Sequence, residues 1–250
     1  MAILHGAAGE WSRSEAEKRH RRVLGLIIGY SMIFGFGLGI VWSFWPRVYV
    51  VLPLLGVFGL LAFPAMRLLD RPIHAMAKTR IKFMRGAQGE ALVAWLLMDL
   101  ENEWHVFNGM KLVENWDLDH VVVGPGGLFC VQTKSWRGLL SAGKDGRLYR
   151  NNVATDVLGQ AVSQGMRLRE RLAALLGEDV PYVQAVLAAP LAWVEGPVMQ
   201  GRVMVVHQDN LVEMIAPEGV KKLKGNEVKR CADALLMLQK SAKGLYREAQ

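Results

Sequence analysis

Along the chain, apolar and polar positions fall into two regimes. Val23–Trp45 runs for 23 residues without a charge, and after Pro46-Arg47 the segment Val48–Met66 adds 19 more. Each is long enough, as a helix rising about 1.5 Å per residue, to cross a hydrocarbon layer of about 30 Å. Gly29, Gly35, Gly37, Gly39, Gly56 and Gly59 leave small faces along which two such helices can pack closely. Trp42, Trp45 and Tyr49 cluster between the runs, as an interfacial aromatic belt does. The first run exceeds the apolar core of a secretory signal and has no evident small-residue cleavage site, so the pattern predicts a transmembrane helical hairpin over residues 23–69.

From residue 84 the periods change. Ala87–Leu100 places Leu92, Val93, Leu96, Leu97 and Leu100 at helical spacing, with Glu90 in the first turn. Trp104–Leu112 reads as a strand, and two short apolar runs around Gly124–Gly127 read as a hairpin. Leu139–Arg150 predicts a smaller hairpin turning at Gly143–Gly146. Asp156 is placed to cap a helix reaching Leu176 and ended by Gly177. Tyr182–Ala189 and Arg202–Val206 are strand candidates, and Glu227–Lys240 a last helix. The order predicts an α/β fold, a mixed β-sheet flanked by helices. The expected organisation is a basic N-terminal segment 1–22, the membrane hairpin (23–45 and 48–66), a basic linker 70–83, a folded domain 84–206 and a helical extension 207–250.

Charge assigns the basic surplus. Residues 1–83 hold 11 Lys/Arg against 4 Asp/Glu, whereas residues 84–250 hold 19 of each. The net charge of +7 therefore belongs to the apolar end of the chain and is no footprint for nucleic acid. Five Lys/Arg precede the first run, Arg47 lies between the runs and six follow the second, which predicts both termini in the cytoplasm. The expected location is a bacterial inner membrane, with lipid as a partner of the hairpin. Cys130 and Cys231 are the two cysteines, without metal-type spacing, and fit a reducing compartment.

The chemistry concentrates in Asp117–Trp136. With a loop at Gly124–Gly127, Val123 faces Leu128, Val121 faces Cys130 and Asp119 faces Gln132, and Lys134 follows two residues on. An acid, an amide and an amine thus gather on one face, a pattern that a polar hairpin end also produces. His120 is expected on the opposite face as a packed histidine, and Cys130 as a small core residue. Lys221, Lys222, Lys224, Lys229 and Arg230 form a basic run read as a solvated face or a lipid contact in preference to specific DNA binding, with non-specific phosphate contact left open.

Three ordered stretches carry a resemblance: Gly86-Ala87-Gln88-Gly89-Glu90, then Asp117–Pro125, then Gly127–Gly138. They resemble the NERD, or nuclease-related, domain, grouped with the PD-(D/E)xK nuclease-like superfamily, over roughly residues 84–200. The resemblance implies a restriction-endonuclease-like sheet and Mg²⁺-dependent phosphodiester hydrolysis. It implies Asp119, Glu90 and Gln132 as metal ligands and Lys134 as the group that orients water or stabilises charge at phosphorus. It makes Gln160 a site residue, although Asp156-Val157 stands where the family carries Asn-Pro. Gln164, Arg167 and Arg171 share a helix face with Gln160 and are candidates for nucleic-acid contact, DNA in preference to RNA. Gln132 stands where the family often has a carboxylate, which removes a negative charge. That departure leaves open a second class of function, a membrane-tethered nucleic-acid-binding or scaffold module with little catalysis.

Overall fold

A computed structural model describes residues 1–43, 53, 56, 57, 60, 78–113, 116–177, 180–195 and 198–248. The chain forms two compact units, Met1–Trp11 with Arg85–Gln250, and Ser12–Met84.

The first unit is built on a seven-stranded mixed sheet. Its strands in chain order are β1 (Ile3–His5), β2 (His105–Val113), β3 (Trp116–Gly124), β4 (Gly127–Thr133), β8 (Val183–Ala188), β10 (Val198–Gln200) and β11 (Val203–Val206). Across the sheet they run β1-β2-β3-β4-β8-β11-β10. β2, β3 and β4 are antiparallel neighbours, whereas β4, β8 and β11 are parallel. A second sheet orders β7 (Val153–Thr155), β6 (Leu148–Arg150), β5 (Gly138–Ala142) and β9 (Ala192–Val194).

Helices cover both faces of the large sheet. One face packs Phe107, Val121, Val123, Leu128 and Cys130 against α3 (Val157–Leu176) and α5 (Gly225–Glu248), through Leu168, Leu172, Cys231 and Leu235. The other packs Val106, Val122, Phe129 and Val131 against α2, helical over residues 78–96, and α4 (Leu211–Ile215), through Val93, Leu211 and Ile215. β4 is buried along its whole length, and this explains its near-continuous apolar sequence. Each fully buried Val, Leu or Phe contributes about 1.5–3 kcal/mol, so the β3–β4 hairpin is the stable centre on which the polar ends hang.

Several sequence expectations change in the folded chain. The N-terminal segment is not a separate tail: Ile3–His5 pairs in parallel with His105–Phe107 as an edge strand. The predicted C-terminal extension is no appendage either, because α4 and α5 supply core residues to opposite faces. β7, β9, β10 and α4, three to five residues each, are too short for periodicity to reveal. Asp156 makes no side-chain cap on α3, whereas Gly177 ends that helix at φ 75° with its N–H donating to the Ala173 carbonyl. The Gly124–Gly127 turn closes on a Gly124↔Gly127 pair, with Pro125-Gly126 at its tip.

The second unit contains most of α1 (Glu10–Ser43), which continues unbroken through the predicted start at Val23. Its stretch Arg13–Ile40 is, among the described residues, the one helix long and apolar enough to cross a membrane. Met32, Ile33 and Phe36 are more than 70 % exposed, an arrangement unfavourable in water. Ser31 and Ser43 turn their hydroxyls back onto the Ile27 and Ile40 carbonyls, satisfying themselves within the helix. The second predicted span, Val48–Met66, lies outside the described residues save for helical positions 53, 56, 57 and 60. Of the expected linker 70–83, residues 78–83 are helical and the rest lie outside the described residues.

Candidate functional site

The site forms where β3 and β4 part. Their ladder ends at His120↔Val131, and β4 continues against β8 through Gln132↔Leu187 and Thr133↔Ala188. Beyond the last pair, the Thr133 N–H donates to Asp119 Oδ2 at 2.6 Å, so a side chain replaces the missing ladder bond. Lys134 remains tied to β8, its N–H donating to the Ala188 carbonyl at 2.9 Å. The alternation of faces also breaks here. Phe107 and Met110 on β2, like Val121 and Leu118 on β3, enter the same core cluster at a spacing of three. Gly109, opposite Asp119, takes φ +60°, which only glycine adopts freely.

Glu90 arrives from α2, and Gly89 explains how. A Cβ at Gly89 would overlap the Ser135 hydroxyl and lie 3.1 Å from Ser135 Cβ, so glycine lets the helix settle on the segment after β4. The Ser135 hydroxyl donates to the Gly86 carbonyl at 3.5 Å. Glu90 thereby comes into electrostatic range of Asp119.

Asp119 records its surroundings. Burial, then the Glu90 carboxylate, push it up to about 7, with Asp117 adding to the rise and the Thr133 N–H and Lys134 opposing it. Burial also raises Asp117, opposed by Lys111. Gln132 is 6 % exposed, and its Oε1 is buried without a hydrogen-bond partner, as is the neighbouring Thr133 Oγ1. An orphaned buried acceptor costs about 1–3 kcal/mol unless something fills it. Two mutually repelling carboxylates suit a hard divalent cation, which prefers oxygen ligands. Among the described residues no three His, Cys, Asp or Glu side chains gather as a metal-ligand set.

The remaining candidates divide. Gln160 is exposed on α3, and the contact from that helix comes from Gln164, whose Nε2 donates to the Asp117 carbonyl at 3.4 Å. Arg167 lines an open groove with Leu158, Met166, Glu170 and Arg202, and Arg171 is exposed. Neither arginine is brought to Asp119 by a described contact. His120 is buried and accepted by Asn108, its Nδ1 donating to Oδ1 at 2.7 Å. Burial pushes His120 down to about 3, so it is neutral, as expected of a packed histidine. Thr133, Ser135 and Asp117 are participants that the pattern alone did not single out. The Gly86–Gly89 spacing just before Glu90 was the available signal for the Ser135 contact.

The class that the fold supports is a mixed α/β domain, its sheet flanked by helices, in which two acidic side chains and a lysine come into electrostatic range at a strand fork. The comparison with known families is specific within that class: a nuclease-related domain, NERD, is found at residues 85–190. That span includes Glu90, Asp119, Gln132, Lys134 and the Gln160–Arg171 face, and it leaves out β1, β9–β11, α4 and α5. No curated protein and no solved structure matches the chain.

Proposed function

We propose that the domain is a Mg²⁺-dependent phosphodiesterase acting on nucleic acid. The observation that carries this reading is the electrostatic coupling of Glu90 and Lys134 to the buried Asp119, on a strand next to the one that carries the unpartnered Gln132 Oε1. Asp119, Glu90 and Gln132 would hold the ion, which when bound polarises a phosphoryl oxygen and makes water more acidic. The protein's own groups do the rest. The Thr133 N–H fixes the Asp119 carboxylate before anything binds. Lys134, fixed through its backbone to β8, offers an ammonium to charge growing on the phosphoryl oxygens. Gln164 ties α3 to the strand that carries Asp119.

The domain is read as anchored by a two-helix hairpin with both termini cytoplasmic. The 5–1–6 distribution of Lys/Arg about the two apolar runs supports this. So does Ile3–His5, which pairs with β2 ahead of α1 and so lies on the same side as the domain.

Gln132 in place of a carboxylate favours a second reading, a silenced nuclease acting as a tethered binding module. Single-turnover cleavage at saturating Mg²⁺ by the full chain in detergent separates the two. For a nuclease, Lys134→Ala slows cleavage by about two orders of magnitude, the scale of one aligned electrostatic group, and spares metal affinity. Equal cleavage by wild type and Lys134→Ala removes Lys134 from the chemistry. Cleavage by Gln132→Glu alone establishes the silenced module.

A further inference from the structure

The four-stranded sheet buries one face and leaves the other open. Leu140, Leu148, Ala192 and Val194 point inward against α3 and β8. The alternate positions point outward: Leu139 pairs with Trp193, and Ser141 with Tyr149. Trp193 is 69 % exposed on the edge strand β9. Trp193 and Tyr149 stand two strands apart and two residues along, a Cα separation of roughly 12 Å from ordinary strand spacings. The Tyr149 hydroxyl donates to Asp145 Oδ2 at 2.8 Å, and Gly143 leaves room for its ring. Tyr149 is therefore held in place before any ligand arrives.

Charge surrounds this face unevenly. Residues 134–155 carry Lys134, Arg137, Lys144, Arg147 and Arg150 against Asp145 alone, five minus one, whereas the rest of 84–250 holds 14 Lys/Arg against 18 Asp/Glu. Arg150, opposite Leu140, belongs to the covered face, where its guanidinium lies 5.5 Å over the Trp136 ring and its Nε donates to the Arg137 carbonyl, which leaves the exposed Arg137, Lys144 and Arg147 as the cations nearest the open face. The sheet is also tethered to the site. Gly138 opens β5 four residues after Lys134, at most about 14 Å of extended chain. β9 opens four residues after Ala188, which accepts the Lys134 N–H.

We propose that the outer face of this sheet is a stacking platform for unpaired nucleotides, making single-stranded nucleic acid the substrate class; this rests on the phosphodiesterase reading. Aromatic faces stack on any exposed base, and surrounding cations track the phosphates. In a duplex the base faces are already covered, so this platform selects unpaired strands. Trp193 lies beyond the nuclease-related span, whereas Tyr149 lies within it.

The test is binding of labelled single-stranded and duplex DNA of one sequence to the full chain in detergent, with EDTA present to stop cleavage. Wild type binds the single strand more tightly than the duplex. Trp193→Ala weakens single-strand binding by about tenfold, the scale of one lost stacking contact, and Trp193→Phe restores most of it. Tyr149→Ala adds to the loss, with thermal melting to verify the fold. Unchanged affinity in Trp193→Ala, or equal affinity of wild type for both DNA forms, overturns the platform alone. Loss of binding to anionic vesicles without loss of DNA binding in Trp193→Ala reassigns the face to lipid and also overturns it. If wild type binds neither DNA form nor the matching RNA strand, the nucleic-acid reading falls as well.

Discussion

At the scale of single residues, Asp119 combines a structural and a chemical task. Its Oδ2 accepts the Thr133 N–H where the β3–β4 ladder has run out, while burial and Glu90 hold its ionisation close to neutral pH. The two tasks separate by substitution. Asp119→Asn keeps an acceptor for Thr133 and loses the charge, so under the proposed function the expected outcome is a folded protein with collapsed Mg²⁺ affinity and cleavage. Asp119→Ala loses the acceptor as well and costs about 1–3 kcal/mol more in stability, the scale of an unpaired buried donor. Calorimetry with Mg²⁺ and denaturant unfolding of both variants check this, and unchanged Mg²⁺ binding in folded Asp119→Asn removes Asp119 from the site.

At the scale of elements, two contacts decide where the site's supports lie. Gly89 sits inside α2, where alanine would ordinarily favour the helix by about 1 kcal/mol. Here an added Cβ overlaps the Ser135 hydroxyl, and overpacking of this kind costs about 1–3 kcal/mol. Gly89→Ala is therefore expected to destabilise the protein and weaken Mg²⁺ binding by displacing Glu90. Adding Ser135→Gly recovers both, and thermal melts with Mg²⁺ titrations distinguish the outcomes. The second contact joins β1 to β2. The His5 and His105 rings stack, with Nε2 to Nδ1 at 3.3 Å, and burial lowers the pKa of both, with Asp233 opposing this at His105. A base whose folded pKa lies below its unfolded value of about 6.5 stabilises fully above that pH and loses this contribution as pH falls. Acidification from pH 8 to 5 should thus loosen β1, seen as faster amide exchange over Ile3–His5. The double variant His5→Leu/His105→Leu should lose that part of the pH dependence.

At the scale of the whole molecule, the α/β unit is assembled from both sides of the apolar segment: Met1–Trp11 contributes an edge strand to a sheet otherwise encoded after Arg85. The charge distribution about the two apolar runs predicts both termini on the same side of a membrane. A reporter active only in the cytoplasm is expected to work fused at either end. Activity at one end only would establish that a single run spans.

Much was legible in the chain because it is local. The charge-free length of Val23–Trp45 marked an apolar helix, and the β-branched runs about Gly124–Gly127 set a register that the folded hairpin keeps from Val123↔Leu128 to His120↔Val131. The order of the motifs groups Glu90, Asp119, Gln132 and Lys134 as one candidate site, and in the fold Glu90 and Lys134 act electrostatically on Asp119. What only the tertiary structure decided depends on partners distant in sequence. Ile3–His5 has too few residues to announce a strand and gains its ladder from β2, 100 residues away. Gln160 and Gln164 are equivalent on a helical wheel, and only the packing of α3 selects Gln164 for the Asp117 carbonyl. The outward face of β5, β6 and β9 exists because α3 and β8 bury the other face, leaving Trp193 in solvent. Periodicity reports which residues share a face, whereas burial of that face is set by elements the local sequence does not contain.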